Sequence, residues 1–520
     1  MRITALDSFR LPDTSTAVRG STYTVPDQFG QERVGEGRAI DPDAASAPGR
    51  LVPLQIDQAI QKIYGGASEV TIGGAGSPSE RAAGLYGDSL EALEYCAPTT
   101  DAPIYGDPSA QPQGAFNPRG VFTIANALLG QPWDIRFAGG VSGEYSGQIL
   151  ARQNDLLAAG VKWVLMDGGR NDVTLQSTVY GGDLDLAYAT TLANLTAAWD
   201  RFLSSGARVV YLSISPKQTS SGEGTPENTL VIRLNRALKA AAAVRKGVFF
   251  IDGFAALVDP TVQQGYGKAS LYVDTTHWAT AGAFLQALEV VRQLRPFITP
   301  SRTLVSSRND CFQRDTRSLN FLSASDGLFQ GTTDAASGTG VSGTKLATAT
   351  VSRSAGTGSV VASVVAAPAF ADPIGDGVTS IGNAQVLDCT AAAAGDQFQL
   401  ALPVSGVTFA QLGAGTAVQG ECAVKVENAT NLISVSCEVV LVYTGGSPAS
   451  PTRSRSMHPV SLTLPGTGSA SYEMHLKTPP VRLPANATAL TSITMNWFAQ
   501  FSGAGGAKVS IARASIVKVS

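Results

Sequence analysis

Histidine is nearly missing from this chain: 520 residues contain three, at positions 277, 458 and 475. Cysteine is sparse too, and Cys96, Cys311, Cys389, Cys422 and Cys437 form an odd set without a C-x-x-C pair. That excludes the usual cysteine zinc sites and leaves the redox compartment and the thiol or disulfide state open. Charged residues make up only 15%, and 38 Lys/Arg against 41 Asp/Glu leave a net charge of -3 with no basic block. Such a balance offers no electrostatic footprint for nucleic acid or for an anionic membrane surface. No apolar run reaches the roughly 18 residues of a spanning helix, and the N-terminal MRITALDSFRLPDTSTAVRG lacks the apolar core of a secretory signal. Neither nucleic acid nor membrane is expected as a partner.

What is present is a chain that is 44% hydrophobic, enough for at least two cores. Residues 1–80 are rich in Pro, Gly, Ser and Asp, with one short amphipathic helix expected over PLQIDQAIQKIYGG, and read as an arm or adaptor. From 81 to 298 strand patterns alternate with helix patterns. The strands AAGLYGDS, WDIRFAGG, VKWVLMDGG, ARVVYLSIS and GVFFIDGF are separated by helical stretches such as YSGQILARQNDLLAAG. Alternation of this length predicts an α/β fold with a parallel five-stranded sheet covered on both faces, where ligands bind at the carboxyl ends of the strands. Residues 299–324 read as a linker. Residues 325–520 turn to Gly, Ala, Ser, Thr and Val, with alternating stretches such as TSITMNWFAQFSG, and predict an antiparallel β-sandwich. Within it Trp497, Phe498, Phe501 and Tyr472 are candidates for stacking on a sugar, although alternation along TSITMNWFAQFSG favours core packing for Trp497.

Polar residues gather at the strand ends. Ser89 follows the first strand in GLYGDSLEAL, a position that an ordinary turn also fills. Because His458 and His475 lie in the β-rich part, His277 is the only imidazole available to the α/β region. It follows Asp274 by three residues in LYVDTTHWATAGAFL, a spacing at which a carboxylate reaches the imidazole and fixes its tautomer. The same Asp274, or Thr276, is also a plausible cap for the helix that follows. Asn171, in MDGGRNDV, sits at the same sheet edge with an amide able to donate, and AGGVSGEYSG supplies a second glycine-rich loop there. A nucleophile, a base, an orienting acid and oxyanion donors are the parts of an acyl-transfer site. Metal chemistry has no comparable candidate: the carboxylates of GGDLDLA fall at a helix start, where capping accounts for them.

GDSL at 87–90, VSGE at 141–144, GRND at 169–172 and DTTH at 274–277 resemble the four blocks of the SGNH, or GDSL, hydrolase family, in the family's order. The resemblance implies a flavodoxin-like three-layer fold over 81–298 and a serine esterase without a cofactor or metal. Ser89 would be the nucleophile, His277 the base and Asp274 its orienting partner. The oxyanion hole would be the Ser89 and Gly143 backbone N–H groups and the Asn171 side chain, with Gly140 an alternative place for the second block. The family often removes acetyl groups from carbohydrate, so an acylated carbohydrate is the expected substrate. The rival readings are a short-chain lipase and a non-enzymatic adhesion protein on the same scaffold. The polar arm, the appended sandwich and the missing signal also resemble bacteriophage tail-fibre or tailspike proteins. That implies extracellular action on a virion tail, often as a homotrimer; a secreted enzyme that has lost its signal is the alternative.

Overall fold

A computed structural model describes residues 78–520 apart from 101, 219–225, 262–264, 302, 312–319, 367–380, 458–469 and 520, together with five short strands near the N-terminus. The chain divides into two compact units, Met1–Gly74 and Ala75–Ser520. In the first, β1 (Arg2–Ala5), β2 (Phe9–Arg10), β3 (Thr16–Ala17), β4 (Thr22–Thr24) and β5 (Ala39–Ile40) make antiparallel pairs: β1 with β4 and β5, β2 with β3. The helix expected over 53–66 lies outside the described residues.

The second unit opens with β6 (Ala82–Gly87), every residue of which is buried. After the short α1 (Ser89–Ala92) come β7 (Tyr95–Cys96), β8 (Gly114–Phe116), α2 (Val121–Leu128) and β9 (Asp134–Gly140). There follow α3 (Ser146–Ala151), α4 (Gln153–Ala158), β10 (Trp163–Met166), α5 (Arg170–Thr174) and α6 (Leu184–Ser204). The region closes with β11 (Arg208–Leu212), α7 (Pro226–Ala243), β12 (Val248–Ile251) and α8 (Thr280–Leu294). The sheet order is β12-β11-β10-β6-β9, all parallel, which numbered along the chain is the doubly wound 2-1-3-4-5 order of flavodoxin-like folds.

Strand alternation builds the two covering layers. Leu85, Leu165, Val210 and Leu212 face one way and pack with Phe122 and Ile124 of α2 and Ala283, Ala287 and Val290 of α8. Their neighbours Tyr86, Val164, Met166, Val209 and Tyr211 face the other way and pack with Leu156, Leu195, Trp199, Phe202 and Leu234. Adjacent residues on each strand serve opposite cores, so a one-residue slip would place every one of them on the wrong face.

The C-terminal strands are β13 (Thr333–Ala335), β14 (Val341–Leu346), β15 (Thr350–Ala355), β16 (Ser359–Ala366), β17 (Asn383–Ala391), β18 (Gln397–Pro403), β19 (Ala417–Gly445), β20 (Thr452–Arg455), β21 (Ala470–Lys477), β22 (Val481–Arg482) and β23 (Ala487–Val519). Here β19 and β23 pair antiparallel along most of their length and pass through both layers of a sandwich. The first half of β23 carries β18 on its free edge and the second half carries β17. The change of layer coincides with register shifts from Glu427 to Ser434, where Asn428 and Asn431 take φ 54°. Bulges are how a strand turns the corner between packed sheets. Between the layers, Trp497 Nε1 on β23 donates to Cys422 Sγ on β19 at 3.1 Å. All five cysteines are buried and none forms a disulfide.

The composition break near residue 300 does not separate two cores. One continuous hydrophobic cluster runs from Leu85 and Phe122 to Trp497 and Ile516. The segment read as a linker is packed: Leu304, Val305, Cys311, Phe321 and Leu322 are buried, Thr303 Oγ1 donates to Glu421 at 2.7 Å, and Phe321 N–H donates to the Ile516 carbonyl at 2.8 Å. The long insertion at 97–120, between the GDSL and VSGE blocks, also crosses over. Its β8 pairs in parallel with β20, and Gln131 Nε2 donates to the His475 carbonyl at 2.7 Å. His475 itself is fully buried, its Nε2 lying 3.1 Å from Glu421 Oε2, and burial disfavours its charged form, so the contact is a structural hydrogen bond far from solvent. Trp497 and Phe501 are core residues, Phe498 is half-buried on the opposite face, and half-buried Tyr472 packs its ring on Phe284 at 4.9 Å.

Candidate active site

The end of β6 determines where Ser89 points. Asp88 is the N-cap of α1, its Oδ1 accepting the Leu90 N–H at 3.0 Å, and Ser89 is the first helical residue. Such a strand-to-helix turn lifts the serine out of the buried sheet, and Ser89 is half-buried while Asp88 and Leu90 beside it are buried. Its Oγ lies 2.9 Å from His277 Nε2.

His277 reaches Ser89 from a tight loop. Tyr272 and Trp278 bridge antiparallel, and Val273 N–H donates to the His277 carbonyl at 2.9 Å, so residues 274–277 form the tip. The base of the loop is anchored by Trp278 Nε1 to the Arg119 carbonyl at 2.7 Å and by Tyr272 Oη to the Pro216 carbonyl at 2.7 Å. Asp274 Oδ2 lies 2.8 Å from His277 Nδ1, while its Oδ1 accepts the N–H groups of Thr276 and His277, both at 2.7 Å. Partial burial works against the Asp274 charge, but the two N–H groups and the imidazole outweigh it and hold the carboxyl below its ordinary range. An ionised Asp274 on Nδ1 fixes the tautomer with Nε2 as the proton acceptor toward Ser89.

Asn171 is the second residue of α5, whose N-cap Gly169, with a left-handed φ of 92°, turns the chain out of β10. One of its amide hydrogens goes to the Glu144 carbonyl at 2.8 Å, which leaves the second for another acceptor. The neighbouring Asp172 has a structural part: buried, it accepts from the Ser146 N–H at 2.7 Å, Ser146 Oγ at 2.6 Å and Tyr180 Oη at 2.5 Å. Two glycines of the second block differ in kind. A Cβ on Gly140 would sit 2.0 Å from the Ala92 nitrogen, so this glycine lets β9 approach α1. Gly143 is in an exposed turn with φ 83° and open space around it, a conformation that suits glycine in a loop facing solvent. The structure thus brings Ser89, His277 and Asp274 into one hydrogen-bonded chain and ties Asn171 of α5, through the Glu144 carbonyl, to the residue that follows Gly143.

Behind the serine lies a feature that the sequence reading passed over. Asp88, Glu91, Glu94 and Asp167 are all buried. Asp88 N–H donates to Asp167 Oδ1 at 3.3 Å, and Glu94 accepts the N–H groups of Phe122 at 2.7 Å and Thr123 at 2.8 Å at the start of α2. Burial pushes Asp88 up to about 6 and Glu94 up to about 7, even against the helix N–H groups that favour the charge. Burial and the neighbouring carboxylates raise Glu91 and Asp167 well above the ordinary range. The signal was present in DSLEALE, where acids recur every third residue after the strand. Among the described residues no group of three or more His, Cys, Asp or Glu side chains is arranged to hold a metal ion.

A parallel sheet of 2-1-3-4-5 order with Ser, His and Asp joined at its carboxyl edge is the arrangement of an α/β ester hydrolase. Residues 86–283 match the model of the GDSL-like Lipase/Acylhydrolase family. This part of the chain is a GDSL-like lipase/acylhydrolase domain, and the protein is a carboxylic ester hydrolase of that class. A comparison with curated proteins gives no match. Among solved structures, the chain is similar to an acetylxylan esterase from Geobacillus stearothermophilus (21% identity, 41% of this chain and 94% of that one, TM-score 0.33). It is similar also to a putative acylhydrolase from Bacteroides fragilis (16%, 42% and 86%, TM-score 0.30) and to a GDSL-like lipase from Bacteroides thetaiotaomicron (16%, 46% and 96%, TM-score 0.30).

Proposed function

We propose that the protein removes short acyl groups, acetyl foremost, from esterified hydroxyls of a carbohydrate. The observation that carries the reading is the relay from Ser89 Oγ through His277 to Asp274, with contacts of 2.9 and 2.8 Å. In the reaction His277 Nε2 takes the Ser89 proton as Oγ attacks the ester carbonyl. The negative oxygen is held by the Ser89 N–H, the Gly143 N–H and the Asn171 amide. His277 then returns the proton to the departing sugar hydroxyl, and the same imidazole activates water to release the acid from Ser89.

The preference for a small acyl group on a large polar substrate rests on exposure. The side chains of His277 and Asp274 are 31% and 53% accessible, so the relay lies at an open edge that a polymer can approach. A long acyl chain would instead need a deep apolar slot. Acetate release from O-acetylated polysaccharides, compared between the wild type and Ser89→Ala, tests the reading. The expected result is release by the wild type and a loss of several orders of magnitude in the variant; equal release by both would refute it.

A further inference from the structure

The stretch YSGQILARQNDLLAAG has the pattern of one helix, yet the structure interrupts it at Arg152, which ends α3 and begins α4 with φ -96° and ψ 12°. The guanidinium at this break reaches three groups at once. Its Nε donates to Glu144 Oε2 at 2.5 Å, one terminal nitrogen to the Gly139 carbonyl at 2.5 Å and the other to the Gly87 carbonyl at 2.6 Å. Those acceptors belong to three different pieces of the site. Gly87 ends the strand that presents Ser89, Gly139 is next to the end of β9, and Glu144 adjoins Gly143 in the turn that follows. The carbonyl of this same Glu144 receives Asn171 Nδ2 at 2.8 Å. All three groups assigned to the oxyanion are therefore referred to one planar side chain.

The guanidinium is also shielded. Its face lies 4.4 Å from the Tyr86 ring centroid, and Tyr105 from the long insertion lies 5.9 Å away. Tyr105 is fixed by its hydroxyl on Asp155 at 2.5 Å and by an edge contact with Phe137 at 5.3 Å, while Gly106 and Ala138 exchange backbone hydrogen bonds at 2.8 Å. Only 14% of the Arg152 side chain is accessible. A charged fork with three satisfied acceptors and little water is a stiff link, because its planar geometry is pre-organised for paired acceptors.

We infer that Arg152 is the positioning residue of the oxyanion hole, fixing the turn of Gly143 and Glu144 and, through it, Asn171, relative to Ser89. This rests on the assignment of those three groups to the oxyanion. Arg152 touches no reacting atom; its effect is to keep the donors placed before charge develops, which is where such donors gain their strength.

The test is a double-mutant cycle on kcat and KM for a soluble acetate ester, using Arg152→Ala, Asn171→Ala and the pair in the full chain. Arg152→Ala is expected to lower kcat by roughly 10- to 100-fold with KM changed by less than about threefold, as loss of a transition-state interaction requires. The pair should lose much less than the product of the single losses, because both changes disable the same donor. Glu144→Gln, at a side chain that is 15% accessible, removes the charged anchor without touching the buried strand ends. It should lower kcat about fivefold or more and couple to Asn171→Ala in the same way, which keeps the test decisive where Arg152→Ala fails to fold. Multiplicative losses, an effect confined to KM, or unchanged kcat in Glu144→Gln would overturn the role of Arg152. Unchanged kcat in Asn171→Ala would overturn the oxyanion assignment itself, and the role of Arg152 with it.

Discussion

In front of Ser89 a carboxyl group stands half in water and is held ionised; behind it four carboxyl groups are dry, and burial shifts each of them toward its protonated form. Asp274 takes hydrogen bonds from two N–H groups and an imidazole, whereas Glu91 and Asp167 face other acids across a buried space. The residue type is the same on both sides of Ser89. What differs most is the water withheld: Glu94 accepts two N–H groups as Asp274 does, yet burial outweighs them there and not at Asp274.

The comparison breaks most visibly at Asp274. Asp274→Asn keeps the shape but removes the acceptor that selects the tautomer at His277, so kcat should fall by about 10³- to 10⁴-fold with a native circular dichroism spectrum. Retention of activity within tenfold would show that the front carboxylate is not what prepares the imidazole.

On the far side the expected signature is in stability. Glu94 is pushed up to about 7 from 4.5, so between those values the folded chain keeps a proton that the unfolded chain has lost. Stability must then fall as pH rises through that window, by about 3 kcal/mol at most from this group. Asp88, pushed up to about 6 from 3.8, acts in the same direction. Asp274, held below its ordinary value, works oppositely and loses its contribution only as the solution becomes more acid than the ordinary carboxylate range. Thermal unfolding followed from pH 4 to 8 should therefore show its highest midpoints at the acid end, near pH 4, with midpoints declining toward pH 8. A midpoint that rises steadily to pH 8 would contradict buried, protonated acids.

A smaller effect isolates one member of the group. Glu91→Gln replaces a buried acid with a neutral side chain of equal size, so it should leave stability nearly unchanged at pH 5 and raise it by about 1–2 kcal/mol at pH 8. Chemical denaturation at the two pH values reads the difference. A loss of stability at both would mean that Glu91 carries a charge that its surroundings need.

The sheet and its strand order were legible because each parallel strand is a short apolar run closed by Gly, Asp or Ser, and the candidate site residues lie near those closures. Local pattern left Ser89 open as a turn residue and Asp274 as a helix cap; only the four ordered blocks gave Ser89, Asn171, Asp274 and His277 their expected roles. Arg152 could not be located in this way, since its role is defined by carbonyls of Gly87 and Gly139 and the side chain of Glu144, and backbone acceptors leave no mark in a sequence. The joint between the α/β layers and the sandwich was hidden for a related reason. Composition changes near residue 300, but Ser454 pairs with Gly114 across 340 positions, and Phe321 pairs with Ile516, so the packing is continuous where the pattern is not. The layer change in β19 and β23 is likewise carried by bulges, which alternation alone does not predict.

The most direct test of the account is covalent. A fluorophosphonate attacked by an activated serine loses fluoride and remains on Oγ, and its phosphoryl oxygen occupies the place of the oxyanion. Incubation of the full chain with this reagent, followed by proteolysis and mass spectrometry, should place one adduct on the peptide containing Ser89, with parallel loss of esterase activity. The adduct should form at least 100-fold more slowly in His277→Ala. A stoichiometric adduct on another residue, or complete labelling of Ser89 with esterase activity intact, would contradict the claim that Ser89, activated by His277, carries the reaction.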